Sequence, residues 1–201
     1  MSKGHALGAL YSILLEQKLV SRKKFFDLIN ENKIGGQLDI FNLKKFIDWN
    51  TGSLGHSIGV TTGFALANPK KKFWTMIGDA EIEEGSVWEG IFFLSEKNIN
   101  NVKIIIDYNK ISASKIIYYK EVLDSKLLYS LNINIIRING HNHSEIYKAY
   151  NIASKTSKMS IIIADTIKGK GFGIAENNLD FNNNLPDKKI LKQMKKGYEN
   201  I

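Results

Sequence analysis

The sequence predicts an α/β fold, a mostly parallel sheet with helices on both faces. Helix-like segments separate four apolar runs of strand length, at 72–77, 102–107, 133–138 and 160–165. Strands that alternate with helices are joined by crossover connections, which produce a parallel sheet covered on both sides. A chain of 201 residues with 43% hydrophobic content is large enough to form one such core.

The helices are predicted from apolar spacing and from signals at their ends. Residues 6–18 place apolar side chains at the period of a helix. A second short helix is predicted at 21–30, with Ser21 as its N-cap. Small residues fill 55–67, which indicates a helix packed closely against another backbone. Further helices are expected near 119–131, at 144–155 and in the charged C-terminal segment.

Charge and composition exclude several classes of protein. The formal charge is +8, but the lysines are dispersed, and the only dense cluster lies at 187–196. We therefore expect no nucleic-acid partner. The sequence has no apolar run of about 18 residues and no charged-then-apolar leader, so neither a membrane-bound nor a secreted protein is expected. The absence of cysteine is compatible with a cytoplasmic location.

Two oxygen-bearing side chains follow neighbouring strands of the predicted sheet. Asp79 comes after the first apolar run, and Asn109 comes after the second. In open parallel sheets, ligands bind beyond the carboxyl ends of the strands, and carboxylate and amide oxygens are ligands that Mg²⁺ prefers. Each residue also has a structural alternative. Asp79 could cap the following helix, and Asn109 could be a turn residue.

Several segments taken together resemble the transketolase family. The spacing of Gly78-Asp79 and Asn109 resembles the thiamine diphosphate motif of that superfamily. Other stretches match transketolases in order along the chain: Ser-Lys-Gly-His-Ala at 2–6, Thr-Gly-Ser-Leu-Gly at 51–55, Glu-Gly-x-x-Trp-Glu at 84–89, Asn-Gly-His at 139–141 and Lys-Gly-Lys-Gly at 168–171.

The resemblance implies a metal site and a cofactor site. Asp79 and Asn109 would bind Mg²⁺ or Ca²⁺ through their side chains, and Ile111 would bind it through its carbonyl. The Gly78 amide would face a phosphate of thiamine diphosphate. His5 would act as a hydrogen-bond donor to the cofactor diphosphate and is counted among the catalytic residues.

The resemblance also implies contacts to the rest of the cofactor and to a second subunit. The backbone of Gly52 and Leu54 would hold the aminopyrimidine ring. Glu84 and Glu89 would lie at a subunit interface, in a catalytic carboxylate network that joins two active sites. The implied reaction is the transfer of a two-carbon ketol unit from a ketose to an aldose.

The sequence departs from the family pattern at several points. Ala80 replaces the second glycine of Gly-Asp-Gly, and Gln37 stands where the family tends to place a substrate-side histidine. A Gly-His-Pro-Gly-like loop and a Trp-His-Gly-like segment are missing. A cofactor-binding domain, N-terminally shortened, is expected at 1–180, and a charged tail is expected at 181–201.

The second domain of a full transketolase, which binds the pyrimidine ring, has no counterpart in this sequence. The resemblance is therefore to the N-terminal subunit of a split transketolase, a transferase that acts on sugars or sugar phosphates. A separate C-terminal subunit would complete it, as a hetero-tetramer. Two alternatives stay open: the α subunit of a 2-oxoacid dehydrogenase, and a truncated or degenerate homologue that folds or associates without activity.

Overall fold

The computed structural model describes residues 1–31, 43, 45–112, 123–124, 126–181 and 187–198, the last five of these without their side chains. Gln37 and the first part of the helix expected near 119–131 therefore lie outside the described residues.

Four parallel strands form the sheet, in agreement with the predicted fold class. Their bounds are Phe73–Gly78 for β1, Val102–Tyr108 for β2, Asn134–Asn139 for β3 and Ser160–Asp165 for β4. The strand order is β1-β2-β4-β3. Gly78 lies opposite Asp107, and Asp165 lies opposite both Tyr108 and Asn139. The carboxyl ends of all four strands are therefore level, and they form a single edge of the sheet.

Seven helices accompany these strands in the described part of the chain. They are α1 (Leu7–Glu16), α2 (Arg22–Asn30), α3 (His56–Ala67), α4 (Gly85–Glu96), α5 (Lys126–Ser130), α6 (His143–Lys155) and α7 (Lys188–Tyr198). Ser21 is the N-cap of α2, as predicted, because its Oγ accepts a hydrogen bond from the Lys24 N–H at 3.2 Å. Within the described ranges, no helix is both long enough and apolar enough to cross a bilayer.

Helices cover both faces of the sheet, as the alternation of elements predicts. On one face α3 and α4 pack against β1 and β2, and on the other α6 packs against β3 and β4. The first core contains Ile58, Ile77, Val87, Ile91, Ile104, Ile106, Ile161 and Ile163. The second is smaller and contains Ile138, Ala149, Ala153, Ile162 and Ala164. This two-sided burial explains why the strands are continuously apolar and not alternating.

The small residues of α3 were expected to pack closely against another backbone, and only part of the helix does so. The close helix contact involves Gly90 of α4, where a Cβ atom would lie 2.6 Å from the Ile58 Cγ2. Gly59 and Gly63 have no atom within 4 Å of an added Cβ. They face an open groove, so the small-residue surface of α3 is largely uncovered.

The first residues of the chain run beside the edge of β1. The Ser2 N–H donates to the Met76 carbonyl at 2.7 Å, and Ser2 is buried. The chain then continues towards the carboxyl end of β1, where the Lys3 side chain passes Gly78. The N-terminal segment is therefore anchored, and it brings Lys3 and His5 to the edge of the sheet at which ligands bind.

The opposite, amino edge of the sheet holds a buried lysine. Lys103 of β2 is fully buried, and its ammonium donates to the carbonyls of Thr156 and Lys158 just after α6. A cation stabilises the carboxyl end of a helix because it satisfies carbonyls there and opposes the helix dipole. Burial, and to a smaller degree the charge of Lys72, lower the pKa of Lys103 to about 8.

We expect this lysine to make the stability of the protein depend on alkaline pH. Between about pH 8 and 10.5, the ordinary value for lysine, an unfolded chain keeps a proton that folded Lys103 has lost. The free energy of unfolding should therefore rise through this window, relative to Lys103→Met. Urea unfolding at several pH values measures the difference. Lys97→Met, at an exposed position, should follow the wild type, whereas parallel curves for Lys103→Met would contradict the assignment.

Candidate functional site

A tight turn after β2 brings Asp79 and Asn109 together. Both side chains are buried, with exposed fractions of 1% and 3%. Asp79 Oδ2 accepts a hydrogen bond from the Lys110 N–H, and Asn109 Oδ1 accepts one from the Ile111 N–H at 3.1 Å. Lys110 has a left-handed φ of 67°, uncommon for a residue other than glycine. Asn109 is thus a turn residue, as its alternative interpretation proposed, yet its oxygen lies at the strand-end edge.

Most of the predicted metal- and cofactor-binding residues line one cleft at this edge. The cleft has a volume of about 140 Å³. Its lining includes His5, Gly52, Leu54, Gly78, Asp79 and Ile111. Asn109 adjoins the cleft through its hydrogen bond to Ile111. The structure therefore brings together residues from four separate parts of the sequence, of which the strand-end argument had linked only Asp79 and Asn109.

Ala80 also lines the cleft and fits the backbone there. It lies in the 3₁₀ turn Asp79–Glu83, which separates β1 from α4. It is not among the described residues with a left-handed φ. An alanine methyl group is therefore compatible with this position, where the family pattern has glycine.

The charges around the cleft are incompletely balanced. Burial raises the pKa of Asp79, although hydrogen bonds from the Lys110 and Ala80 amides and the charge of Lys3 oppose the rise. Burial, followed by repulsion from Lys168 and Lys3, lowers the pKa of His5. Burial and Lys3 likewise lower the pKa of Lys168, although Asp79 and Asp107 act in the opposite direction. A cation near Asp79 and an anion near Lys168 and His5 would relieve these costs together.

Lys3 and Lys168 are site residues that the sequence analysis did not single out. Lys3 forms an ion pair with Asp107, which also accepts a hydrogen bond from Thr166. Burial alone would raise the pKa of Asp107. The charge of Lys3 and hydrogen bonds from Lys3, Thr166 and Asn109 outweigh burial and lower it. The sequence did contain a sign that Lys168 belongs to the site. It lies in the Lys-Gly-Lys-Gly stretch, which follows β4 at the same edge of the sheet.

The segment that carries Lys168 is held by hydrogen bonds at several points. The Thr166 N–H donates to the Tyr108 carbonyl at 3.1 Å, and the Ile167 N–H donates to His141 Nε2 at 2.7 Å. The Lys168 carbonyl accepts from the Asn177 N–H at 2.9 Å. These bonds fix the direction in which the chain leaves β4, so Lys168 reaches the cleft from a defined backbone position.

Glu81 is a buried carboxylate of the site that sequence reasoning missed. Its Oε2 accepts a hydrogen bond from the Gly78 N–H at 2.8 Å. The resemblance assigns the Gly78 amide to a phosphate contact. In this structure that amide donates to Glu81. An acidic residue in a turn ordinarily faces solvent, and its sequence neighbours give no sign that Glu81 is buried.

Glu84 and Glu89 lie outside the cleft, near a surface groove between α3 and α4. Glu84 is half-buried and contacts Gly55, whereas Glu89 is exposed and lines the groove. The groove has a volume of about 660 Å³, and its lining includes Gly59, Gly63 and the exposed apolar side chains of Trp49, Leu66 and Phe93. Contiguous apolar surface beside carboxylates is typical of a protein interface.

The oxygen donors of the cleft suit a metal that a ligand helps to hold. Among the described residues, no three His, Asp or Glu side chains are grouped to bind a metal by themselves. The predicted ligands, the side chains of Asp79 and Asn109 and the Ile111 carbonyl, would provide only a partial set of hard oxygen donors. Mg²⁺ is commonly bound by one or two protein carboxylates together with phosphate oxygens and water. The donor set therefore fits a Mg²⁺ ion that is completed by a diphosphate.

Comparisons with known proteins show which family this chain resembles. Residues 1–199 match the family model described as transketolase, thiamine diphosphate binding domain. The chain is 30% identical to human transketolase, over 96% of this chain and 32% of that protein. It is 32% identical to the 6-deoxy-6-sulfo-D-fructose transketolase subunit SqwG of Clostridium sp. (strain MSTE9), over 91% of this chain and 69% of that protein.

Solved structures show the same fold. The transketolase of Campylobacter jejuni subsp. jejuni NCTC 11168 matches with a TM-score of 0.68 at 24% identity, over 76% of this chain and 26% of that chain. The chain thus spans about a third of the length of the full transketolases that it matches, and a larger share of the relative whose name describes a subunit.

Proposed function

The chain belongs to the transketolase family, through its thiamine diphosphate-binding domain, and we propose that it is the N-terminal subunit of a split transketolase. In this role it binds thiamine diphosphate with Mg²⁺, or Ca²⁺ in its place. The cofactor, when bound, supplies the nucleophilic carbon that carries a two-carbon ketol unit from a ketose to an aldose. The proposed substrates are sugars or sugar phosphates, and the proposed location is the cytoplasm.

The charge arrangement of the cleft is the observation that carries this proposal. A buried carboxylate, Asp79, lies beside oxygen donors, while Lys168 and His5 lie on the same cleft with lowered pKa values. A Mg²⁺–diphosphate pair provides both the cation and the anion that these groups need. Neither charge alone would relieve the burial cost on both sides of the cleft.

The proposal assigns a role to each predicted binding residue and to Lys168. Asp79 and Asn109 hold the metal through side-chain oxygens, and Ile111 holds it through its carbonyl. His5 and Lys168 donate hydrogen bonds to the diphosphate. Their position on the cleft and the positive charge of the lysine favour this contact with an anion. A separate pair, Gly52 and Leu54, holds the aminopyrimidine ring through backbone atoms. The Gly78 amide faces a phosphate and shares its N–H between that phosphate and Glu81.

A partner subunit completes the proposed site. The groove between α3 and α4 exposes apolar side chains and Glu89. Such a surface favours contact with a second chain. We propose that a C-terminal transketolase subunit brings the pyrimidine-binding domain to this side, and that two copies of each chain form a hetero-tetramer. Glu84 and Glu89 then contribute to the carboxylate network between active sites.

Reconstitution tests the proposed function. The chain is mixed with a C-terminal transketolase subunit, and binding of thiamine diphosphate is measured by calorimetry with Mg²⁺ and with EDTA. We expect Mg²⁺-dependent binding, ketol transfer between a ketose and an aldose, and a two-plus-two mass by light scattering. Neither activity nor binding is expected when the partner is omitted, because half of the site is then missing.

The alternatives give different results in the same experiment. Activity on pyruvate but not on a ketose would favour a 2-oxoacid dehydrogenase α-type subunit. Association with the partner without cofactor binding would favour a degenerate homologue that only folds or associates. Binding without ketol transfer would support the cofactor site and contradict the proposed reaction.

A further inference from the structure

Glu81 forms hydrogen bonds to three separate parts of the chain. Its side chain is 1% exposed. Oε1 accepts from the Ser2 hydroxyl at 2.5 Å and from the Gly55 N–H at 3.1 Å, and Oε2 accepts from the Gly78 N–H at 2.8 Å. A carboxylate that accepts several hydrogen bonds is well satisfied in a buried position. Its oxygens are therefore engaged within the protein.

The three donors adjoin three of the segments that form the cleft. Ser2 precedes Lys3 and His5, and Gly55 follows the loop that contains Gly52 and Leu54. The third donor ends β1, immediately before the proposed metal ligand. The proposed diphosphate and pyrimidine contacts and the Asp79 metal ligand thus lie on segments that are joined through one buried side chain.

We infer that Glu81 is a positioning residue for the cofactor site: it aligns the N-terminal segment, the loop before α3 and the end of β1 around the cleft. The inference rests on the proposed function. Glu81 borders the cleft, but both of its oxygens accept hydrogen bonds from the protein, so it is assigned no contact with the cofactor or the metal. It acts by fixing the backbone from which the binding groups project, and preorganisation of this kind lowers the entropic cost of binding.

The variant Glu81→Gln separates positioning from packing. Glutamine keeps the shape of the side chain but has one acceptor oxygen in place of two. Its NH₂ group must face either the Gly55 N–H or the Gly78 N–H. Two donors then face each other and cannot form a hydrogen bond. The Ser2 hydroxyl can rotate and accept, so at least one backbone hydrogen bond is lost while the packing volume is retained.

We expect Glu81→Gln to weaken Mg²⁺-dependent binding of thiamine diphosphate by at least about tenfold in the reconstituted enzyme. At saturating cofactor, kcat should change much less than the cofactor KM. Hydrogen exchange should accelerate at the amide of Gly55 or Gly78, without any cofactor present. Ser2→Ala, which removes one hydrogen bond and leaves both backbone bonds, should produce a smaller change in each measurement.

Val87→Ala is the matched control for lost stability. Val87 is a core residue of α4, 1% exposed, and does not line the cleft. Its truncation should lower the melting temperature without changing cofactor affinity at temperatures where the protein is folded. A purely structural role for Glu81 would give the same result as Val87→Ala, and that outcome would overturn the inference.

The failure of the inference and the failure of the proposed function are distinguishable. If the wild type binds thiamine diphosphate and Glu81→Gln binds it equally well, only the inference fails. If the wild type does not bind, the proposed function fails. Exchange at Gly55 and Gly78 then still decides whether Glu81 aligns the three segments, and unchanged exchange in Glu81→Gln would refute it.

Discussion

The substitution Asp79→Ala is expected to weaken Mg²⁺-dependent binding of thiamine diphosphate at least about 100-fold, because it removes the only charged group among the proposed metal ligands. Asp79 is buried at the carboxyl end of β1, and burial raises its pKa. This means that the ionised carboxylate is costly until a cation compensates for it. Calorimetry on the reconstituted enzyme, in Mg²⁺ and in EDTA, measures the effect.

The comparison between Mg²⁺ and EDTA makes this prediction specific. In EDTA the wild type should bind as weakly as Asp79→Ala, because neither then has a bound metal. Asp27→Ala serves as the control, since it removes the same charge from an exposed pair with Lys23 on α2. It should bind like the wild type in both conditions. A difference between the wild type and Asp79→Ala that persists in EDTA would mean that Asp79 does not act through a metal.

The order of helices and strands was predictable because each element is encoded by neighbouring residues. The strand at 160–165 and the helix near 144–155 agree with β4 and α6 to within a residue or so at each end. The strand order β1-β2-β4-β3 was not predictable, since it depends on pairing between segments distant in sequence. The burial of Lys103 was not predictable either, because the carbonyls that accept from its ammonium come from residues after α6.

The candidate site was predictable where its residues follow strands. Asp79 and Asn109 end neighbouring strands, so a parallel sheet brings them to one edge whatever the details of packing. Glu81 was not predictable, because its partners come from the first residues of the chain and from the loop before α3. Its sequence context resembles a solvated acidic turn. Only the folded structure shows that three donors converge on it.

Replacing Gly55 with alanine is expected to lower the free energy of unfolding by roughly 2–5 kcal/mol, the sum of a strained backbone and steric overlap. Gly55 has a left-handed φ of 80° at the start of α3. An added Cβ would lie 2.5 Å from the Ser86 Oγ and 2.8 Å from the Glu84 Cβ. Relief of this overlap would move the Gly55 N–H away from Glu81, so cofactor affinity should fall as well. Urea unfolding of the isolated chain measures the loss of stability.

Gly63→Ala is the matched control, because Gly63 lies within the helix that Gly55 caps and an added Cβ there has no atom within 4 Å. In the isolated chain it should be neutral, or stabilising by about 0.5–1 kcal/mol, since alanine loses less backbone entropy than glycine in a helix. Equal destabilisation by both variants would mean that α3 needs flexible residues throughout. Destabilisation by Gly55→Ala alone would locate the requirement in the left-handed turn and its contact with α4. That turn also joins the proposed pyrimidine-binding loop to Glu81, so stability and cofactor binding would then share one backbone constraint.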